Sequence, residues 1–147
     1  MYKNSEGYPD PTAGQVMSDI MRDYRRKRRA ERRIRFEIMN RPRVYVVSRY
    51  AGDIRTNVRN ARKYCRFAAA KNRIPIASHL LYPQFLNVSD EKERELGLLF
   101  GLVWLGLCDE VWVFGSNRSP GMKQEIHEAK ILKKPIRYFT ENLEELK

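Results

Sequence analysis

The order of secondary-structure signals in the second part of the chain limits the fold more than any other feature of the sequence. The β-branched run "RVYVVS", residues 43–48, is typical of a strand that is covered on both faces. A helical pattern over residues 54–71 follows, with Asp53 as its expected N-cap, and a second short strand, "IPIAS", occupies residues 74–78. Strands that alternate with helices predict a parallel sheet with helices on both faces.

The alternation continues to the end of the chain. After a loop at residues 79–89, the expected elements are a helix over 91–107, a strand over 109–115, a helix from 120 to about 134, a strand over 135–140 and a short helical turn in the acidic tail. Asp90 and Ser119 are the expected N-caps of the two helices, and Pro120 suits the first helical position. The predicted fold class is therefore α/β: a three-layer, Rossmann-like or flavodoxin-like domain over residues 42–147, with a mainly parallel sheet of four or five strands.

The sequence also predicts which residues are buried and where in the cell the protein is found. The apolar stretch at residues 96–107, about twelve residues, is too short to cross a bilayer and is interpreted as a buried helix. Trp104 and Trp112 lie in apolar runs and are expected in the core. The two cysteines, Cys65 and Cys108, are expected to be small buried side chains in a reducing cytosol. Neither a secretory signal nor a metal-ligand spacing is recognisable, so the sequence predicts a cytoplasmic protein with no membrane contact, metal or cofactor.

Residues 1–41 have a different composition and are predicted to form an N-terminal extension. Turn-forming residues dominate up to residue 14, and a helical pattern then runs from Gln15 to about Met39. Within it, residues 22–35 hold nine basic and two acidic side chains, in a chain whose net charge is +11. This basic helix is either a solvated surface, which contacts the acidic tail or a second copy, or a non-specific, salt-sensitive contact to nucleic-acid phosphates. The nucleic-acid hypothesis rests on Arg25, Arg26, Lys27, Arg28, Arg29, Arg32 and Arg33.

Small and polar residues gather in three turns that follow predicted strands, at residues 48–52, 78–84 and 115–121. Because right-handed crossovers put the carboxyl ends of parallel strands at one edge of the sheet, these turns are expected to meet and form a ligand site. Small residues let a ligand approach the backbone, and free N–H groups at a helix N-terminus favour an anion. The expected binding residues are Ser48, Arg49, Tyr50, Gly52, His79, Tyr82, Gly115, Ser116, Asn117, Ser119, Gly121 and Met122.

The last of these turns carries a resemblance to a known superfamily. A strand, the segment "SPGMKQE", a helix ending in "KKPI" and a further strand resemble the nucleoside 2-deoxyribosyltransferase-like superfamily, in which a glutamate follows the turn glycine by four residues. Gly121 and Glu125 match that spacing. More closely, "SHLLYPQFL", "ERELGL", "CDEVWVFG" and "SPGM..EI..AK" resemble a small uncharacterised bacterial and phage family of the same superfamily, labelled DUF4406 or DUF7768. This closer resemblance covers residues 42–140.

The resemblance implies chemistry on an N-glycosidic bond. In deoxyribosyltransferases the glutamate attacks the anomeric carbon of the sugar, and water or a second base resolves the covalent intermediate. Glu125 would be this nucleophile, whereas its position alone also fits a solvated helix residue paired with Lys123 or Lys130. The stretch "GSNRSPG" lacks the aspartate that the superfamily's enzymes usually place there, so the leaving base has no obvious acid unless His79 or Tyr82 supplies one.

Several other side chains have two interpretations. Arg49 and Arg118 are either phosphate-binding forks, which favour a phosphorylated ligand over a bare nucleoside, or exposed loop residues. Tyr50 and Tyr82 either stack on a base or pack against protein. His79 is either a hydrogen-bonded structural residue or a general acid.

Three hypotheses for function follow. The first is an enzyme of the deoxyribosyltransferase or N-hydrolase type that acts on a nucleoside or nucleotide. The second is a non-catalytic module that binds a nucleotide, which the missing aspartate favours. The third is a nucleic-acid-associated protein that acts through residues 22–35. Because members of the superfamily often complete their pocket with a neighbouring subunit, the resemblance also implies a homo-oligomer.

Overall fold

The structure is a computed structural model that describes residues 3–147. It separates into two compact units, Met1–Asn40 and Arg41–Lys147. No helix among the described residues has both the length and the apolar character that crossing a membrane requires.

The first unit contains one long helix, α1, which spans Pro11–Met39. Asp10 is its N-cap, and the carboxylate of Asp10 accepts a hydrogen bond from the N–H of Ala13 at 2.9 Å. The predicted start at Gln15 was therefore wrong. A proline at the first helical position does not interrupt a helix, because the N–H that it lacks would have had no partner within the helix.

The second unit alternates strands and helices, as predicted. Its elements are β1 Arg43–Val47, α2 Ile54–Ala70, β2 Ile74–Ile76, two short 3₁₀ helices at Ser78–Leu80 and Tyr82–Gln84, α3 Glu91–Leu107, β3 Glu110–Phe114, α4 Pro120–Ile131, β4 Ile136–Phe139 and β5 Glu145–Leu146. The predicted N-caps Asp53, Asp90 and Ser119 are confirmed, since each side chain accepts a hydrogen bond from an N–H in the first turn of its helix.

Within the described residues, five strands form one sheet in the order β2-β1-β3-β4-β5. The first four strands are parallel, and β5 is antiparallel to β4. Pro75 lies in the middle of β2, the three-residue strand at one edge. The predicted α/β class with a mainly parallel sheet is confirmed.

The predicted helical turn in the acidic tail was wrong, because the tail forms a tight turn that leads into β5. The N–H of Leu143 donates to the carbonyl of Thr140 at 3.0 Å, and Leu143 adopts a left-handed backbone with φ of 70°. Across the resulting hairpin, Arg137 forms two hydrogen bonds with the carboxylate of Glu145, at 2.8 and 2.7 Å. Pairing with β4 satisfies backbone groups that an isolated helical turn would leave without partners.

The helices cover both faces of the sheet. On one face, a cluster of buried side chains joins strand residues such as Val46 to Tyr64 of α2. On the other face, a second cluster joins Tyr45 of β1 to Leu105 of α3 and Ile126 of α4. Tyr45 therefore lies on the side of the sheet that α3 and α4 cover.

The helix α3 is buried along one side only. Leu105 is fully buried against the sheet, whereas Val103 is 62 % exposed. The prediction of a buried helix at residues 96–107 was therefore wrong for the outward side. The core prediction was also wrong for Trp104, which is 38 % exposed, and is confirmed for Trp112, which is fully buried.

The two cysteines lie on helix α2 and at the end of α3. Cys108 is buried and Cys65 is partly buried. Burial raises the pKa of both thiols to about 11 because it disfavours the thiolate. Both therefore remain protonated near neutral pH, as expected of cysteines that pack rather than react.

Candidate functional site

A cleft of about 360 Å³ lies at the carboxyl edge of the sheet, and its walls come from the segments after β1 and β2 and from the starts of α3 and α4. The strands β1 and β3 are neighbours, but the chain leaves them in opposite directions, toward β2 and toward β4. Open α/β sheets bind ligands at such a switch point, and the volume is in the range of small-molecule sites, roughly 300–1,000 Å³. The structure brings eight of the predicted site residues to this cleft: Ser48, Tyr50, His79 and Tyr82 from the first two turns, and Ser119, Gly121, Met122 and Glu125 from the end of the third turn and the start of α4.

Glu125 is partly buried, and a buried hydroxyl donates to it. The hydroxyl of Tyr45 donates to Oε1 of Glu125 at 2.7 Å, and the Oγ of Ser78 lies 2.8 Å from the same hydroxyl. Because a tyrosine hydroxyl has one proton, Ser78 donates to Tyr45 whenever Tyr45 donates to an ionised Glu125. The alternative of a solvated glutamate paired with Lys123 or Lys130 is therefore wrong.

The surroundings of Glu125 bring its ionisation close to neutral pH, where the acid and the carboxylate are both populated. Burial raises the pKa of Glu125 to about 7, although the hydrogen bond from Tyr45 acts in the opposite direction. Burial, followed by the charge of Glu125, raises the pKa of Tyr45 well above its usual value. The tyrosine hydroxyl therefore keeps its proton and remains a donor to the carboxylate.

The backbone of α3 approaches this hydrogen-bonded chain closely at Gly101. A Cβ atom on Gly101 would lie 2.8 Å from the hydroxyl of Tyr45 and 2.9 Å from the Oγ of Ser78. A Cβ atom does not approach a non-bonded oxygen that closely, so any larger residue would displace the two hydroxyls. Glycine at this position makes room for the chain that ends at Glu125.

We therefore expect Gly101→Ala to lower the free energy of unfolding by about 1–3 kcal/mol, the usual cost of overpacking a buried site. Chemical denaturation of the full chain measures this change. Gly106→Ala in the same helix is the matched control, because the nearest atom to its Cβ is Leu132 Cδ1 at 3.8 Å. The control should keep or slightly raise stability, by up to about 1 kcal/mol. Equal stabilities of the two variants would contradict the tight approach at Gly101.

His79 lies on the other wall of the cleft and is neutral. Its Nε2 is 3.2 Å from the Oγ of Ser48, and its ring centroid is 5.8 Å from that of Tyr50. Burial lowers the pKa of His79 to about 4, because the charged imidazolium is poorly solvated there. At neutral pH His79 is therefore a hydrogen-bonding group without charge, which favours its structural interpretation over that of a protonated acid.

The amino end of α4 forms the third wall. The Oγ of Ser119 accepts a hydrogen bond from the N–H of Met122 at 3.3 Å, and Pro120 is the first helical residue. The residues that begin α4 line the cleft together with Glu125, one and a half turns further along the helix. A ligand in the cleft therefore meets the positive end of the helix dipole close to the carboxylate.

The turn after β3 is not part of the cleft wall, contrary to the prediction for Gly115, Ser116 and Asn117. A carboxylate from the tail occupies its inner side: the N–H of Ser116 donates to Oε1 of Glu141 at 3.2 Å. Gly115 has a φ of 93°, and its missing Cβ would lie 3.2 Å from the same oxygen. Glycine is needed here for the backbone turn and the approach of Glu141, rather than for a ligand.

Two predicted phosphate-binding arginines also lie outside the cleft wall, as does Gly52. The Nε of Arg49 donates to the carbonyl of Ala51 at 3.2 Å, so its side chain folds back on its own turn beside Gly52. The guanidinium of Arg118 lies 5.0 Å from the ring centroid of Tyr138, an arrangement typical of a cation–π contact. The structure therefore does not bring these two arginines to the cleft, and a phosphate held by them stays a prediction.

The sequence interpretation missed four polar residues at the site. Tyr45 and Ser78 form the hydrogen-bonded chain, and Glu93 and Arg94 line the cleft from the first turn of α3. The signal for Tyr45 was weak, because a tyrosine within a buried strand is usually a packing residue. Glu93 and Arg94 come directly after Asp90, the N-cap of α3. They could have been found by including the first residues of this helix, which follows the loop after β2, among the candidate site residues.

Comparison with solved structures defines the class of the fold. A 2-deoxyribosyltransferase from the psychrotolerant bacterium Bacillus psychrosaccharolyticus matches with a TM-score of 0.53 and 17 % identity, over 67 % of this chain and 72 % of that one. A 2-deoxyribosyltransferase from Leishmania mexicana matches at 14 % identity with a TM-score of 0.48, over 67 % of this chain and 64 % of that one. The first of these matches shows that the chain has the 2-deoxyribosyltransferase type of α/β fold.

The family model described as Domain of unknown function (DUF7768) matches residues 42–139, and the chain belongs to this family. This part of the predicted resemblance is confirmed, and the second label, DUF4406, stays a prediction. A comparison with curated proteins found no match.

Proposed function

We propose that the protein is an enzyme that cleaves or exchanges the N-glycosidic bond of a nucleoside or nucleotide, with Glu125 as the nucleophile. The observation that carries this proposal is the contact between the hydroxyl of Tyr45 and the carboxylate of Glu125, at 2.7 Å, in a cleft of about 360 Å³. A carboxylate held by one strong donor keeps its second oxygen available for attack. The names of the structurally similar proteins, both 2-deoxyribosyltransferases, agree with this chemistry.

The reaction has two steps. In the first, an oxygen of Glu125 bonds to the anomeric carbon, the bond from that carbon to the base nitrogen breaks, and the base leaves with its electron pair and a proton. In the second, water or another base attacks the same carbon, the bond to Glu125 breaks, and the attacking group gives a proton back to the side chain that protonated the leaving base. Water gives free sugar and hydrolysis, whereas a second base gives exchange.

Glu93 is the side chain that we propose as the proton donor to the leaving base. It is a second carboxyl group on the wall of the cleft, and glycosidic bond enzymes commonly use a pair of carboxyl groups in these roles. Its Oε2 accepts a hydrogen bond from the N–H of Asn87, so Oε1 is the oxygen that would carry the proton. His79 is uncharged at neutral pH, so it can offer the base only a hydrogen bond from its one ring N–H. The hydroxyl of Tyr82 accepts a hydrogen bond from the indole of Trp104, which orients it.

The aromatic and basic residues of the cleft suggest how the substrate lies. Tyr50 and Tyr82 offer ring faces for a purine or pyrimidine. Arg94 and the amino end of α4 supply positive potential for a 5′-phosphate. We therefore propose that nucleoside 5′-phosphates belong to the substrate range.

A release assay tests the proposal. The purified full chain is incubated with a panel of ribo- and deoxyribonucleosides and their 5′-monophosphates, and free base is measured by chromatography with and without an acceptor base. We expect release from at least one member. Thermal stabilisation by a nucleotide without any release would instead support the non-catalytic binding module. If no member of the panel gave release or stabilisation, both the enzyme and the binding module would be overturned.

The dependence of activity on pH should follow the ionisation of the Glu125 carboxyl group. Because Glu125 must be ionised to attack, kcat/KM should rise with pH through an acid limb near the pKa of about 7. Tyr45→Phe removes a hydrogen bond that lowers this pKa, so the acid limb should move up by about one pH unit. Tyr64→Phe, on the opposite face of the sheet, is the control and should leave the limb in place. If the acid limb of Tyr45→Phe stayed where it is in the parent chain, Tyr45 would not influence the ionisation of the reacting group.

The basic helix favours a second, independent function. All seven arginines and lysines predicted to contact nucleic acid are exposed on α1, and within residues 3–147 only Arg26 and Arg28 of that set form an ion pair. We propose a non-specific contact with nucleic-acid phosphates through this surface. Its affinity for a DNA duplex should fall steeply with salt, and replacing Arg25, Lys27, Arg29, Arg32 and Arg33 by glutamine should flatten that dependence. An unchanged salt dependence would overturn this second proposal.

A further inference from the structure

Four arginines lie in one row on the outward side of α2. The row consists of Arg55, Arg59, Arg62 and Arg66. Because successive residues of a helix are turned by about 100°, these positions lie within roughly 60° of one another around the helix axis. Ala61, Tyr64 and Ala68 of the same helix are buried toward the sheet, on the opposite side. All four arginines are exposed, and we call this row the α2 stripe.

The α2 stripe has no acidic counterpart on its own helix, since α2 contains neither aspartate nor glutamate. Within residues 3–147, none of its arginines forms an ion pair. Asp53, the N-cap of α2, accepts a hydrogen bond from the N–H of Thr56 at 3.2 Å. The basic helix α1 differs, because three of its arginines pair with acidic residues of α1. The α2 stripe therefore keeps four guanidinium groups that are free to bind a partner.

The charges of the α2 stripe also repel one another. Like charges three or four positions apart destabilise a helix, and the stripe contains three such neighbouring pairs. Arg55 lies in the first turn of α2, where the helix dipole disfavours a positive charge. An anionic partner that lies along the row offsets both effects, whereas water and salt only screen them.

We propose that the α2 stripe binds the phosphate backbone of a nucleic acid, at a site separate from α1. The stripe extends over about 16 Å, because each residue advances a helix by about 1.5 Å. Along the axis of a duplex, the phosphates of one strand follow one another every 3.4 Å or so, and the stripe can therefore contact several of them. The planar guanidinium group donates two parallel hydrogen bonds to a phosphate, which suits arginine to this contact.

The residues around the α2 stripe favour a nucleic acid over an acidic protein as the partner. The centre of a protein interface is usually apolar. Of the large apolar residues of α2, only Ile54 is exposed, and it is the first residue of the helix. The aromatic rings of α2 pack inward, since Tyr64 stacks on Phe114 and Phe67 packs into the same cluster. Without an exposed ring to stack on a base, the contact should be independent of sequence and sensitive to salt.

The α2 stripe is distinct from both of the sites described above. None of its four arginines lines the cleft that contains Glu125. It also belongs to the second unit, Arg41–Lys147, whereas the basic helix α1 belongs to the first. The proposal therefore depends neither on the proposed reaction nor on a contact between α1 and nucleic acid.

Binding of a DNA duplex at several salt concentrations tests the proposal on the full chain. The contribution of α1 is first removed by replacing Arg25, Lys27, Arg29, Arg32 and Arg33 by glutamine. In this background, affinity should still fall about 100-fold between roughly 50 and 200 mM salt, as expected of four phosphate contacts. Replacing the four arginines of the α2 stripe by glutamine as well should remove most of this fall. Glutamine has nearly the helix propensity of arginine, so circular dichroism should show unchanged helix content.

A control with the same net charge distinguishes the α2 stripe from general attraction. It replaces four exposed lysines outside α2 by glutamine in the same background: Lys92, Lys123, Lys130 and Lys133. This control should keep the salt dependence of the background. Equal losses in the two sets, or no binding once the α1 residues are replaced, would overturn the proposal. Tighter binding of polyglutamate than of the duplex would indicate an acidic protein as the partner and would overturn the nucleic-acid assignment.

Discussion

Glu125→Gln should reduce the rate of base release by at least about 10³-fold, as expected when a residue that forms the covalent intermediate is lost. Glutamine keeps the size of the side chain and still accepts the hydrogen bond from Tyr45, so the cleft should keep its shape. Its amide oxygen, however, is a much weaker nucleophile than a carboxylate. The loss should therefore appear in kcat, with substrate binding largely retained.

Glu128→Gln is the matched control for this variant. Glu128 lies on the same helix, three residues further on, and is not part of the cleft wall. It should release base at the rate of the parent chain. If Glu125→Gln retained the parent rate on a substrate that the parent cleaves, Glu125 would not be the nucleophile, even though the protein would still be a glycosidic bond enzyme.

The stability of the parent chain should fall as the pH rises from about 4.5 to about 7, and Glu125→Gln should remove this fall. Burial raises the pKa of Glu125 from 4.5 in the unfolded chain to about 7 in the folded one. Below the lower value both states carry the proton, and between the two values only the folded state keeps it. Folding therefore becomes less favourable with rising pH in this window and constant above it.

The size of this effect follows from the pKa difference, on the order of 3 kcal/mol between pH 4.5 and 7. Chemical denaturation at several pH values measures it, as the difference between the parent chain and Glu125→Gln. The variant should be relatively more stable at pH 8 than at pH 4.5. A difference that does not change with pH would show that the carboxylate is well solvated in the folded state.

Features that depend on neighbouring residues could be predicted from the sequence. The N-caps Asp53, Asp90 and Ser119 were correct, because capping is decided within one turn of a helix. The tail was wrong because β5 exists only through its pairing with β4, and such pairing has no local signal. The exposed side of α3 was missed for a similar reason: an apolar residue on a helix indicates burial, but not the partner that buries it.

The features of the candidate site also divide into those that the local sequence predicts and those that depend on distant parts of the chain. The spacing from Gly121 to Glu125 is local, and both residues lie on the cleft. The donor to Glu125 is Tyr45, 80 positions earlier in the chain, and its role depends on the sheet register and on the space left by Gly101. The two predicted arginines do not line the cleft, because a long side chain can reach several partners, and these two contact a carbonyl and a tyrosine ring.

The edges of the sheet determine how copies of this chain can associate. Among the described residues, the outermost strands are β2, three residues long with a proline at its centre, and β5, two residues long. A proline has no N–H to offer an incoming strand, and so short an edge provides few backbone groups for pairing. Growth of the sheet from one molecule to the next is therefore disfavoured. Short edges of this kind keep the protein from adding strand to strand into fibres.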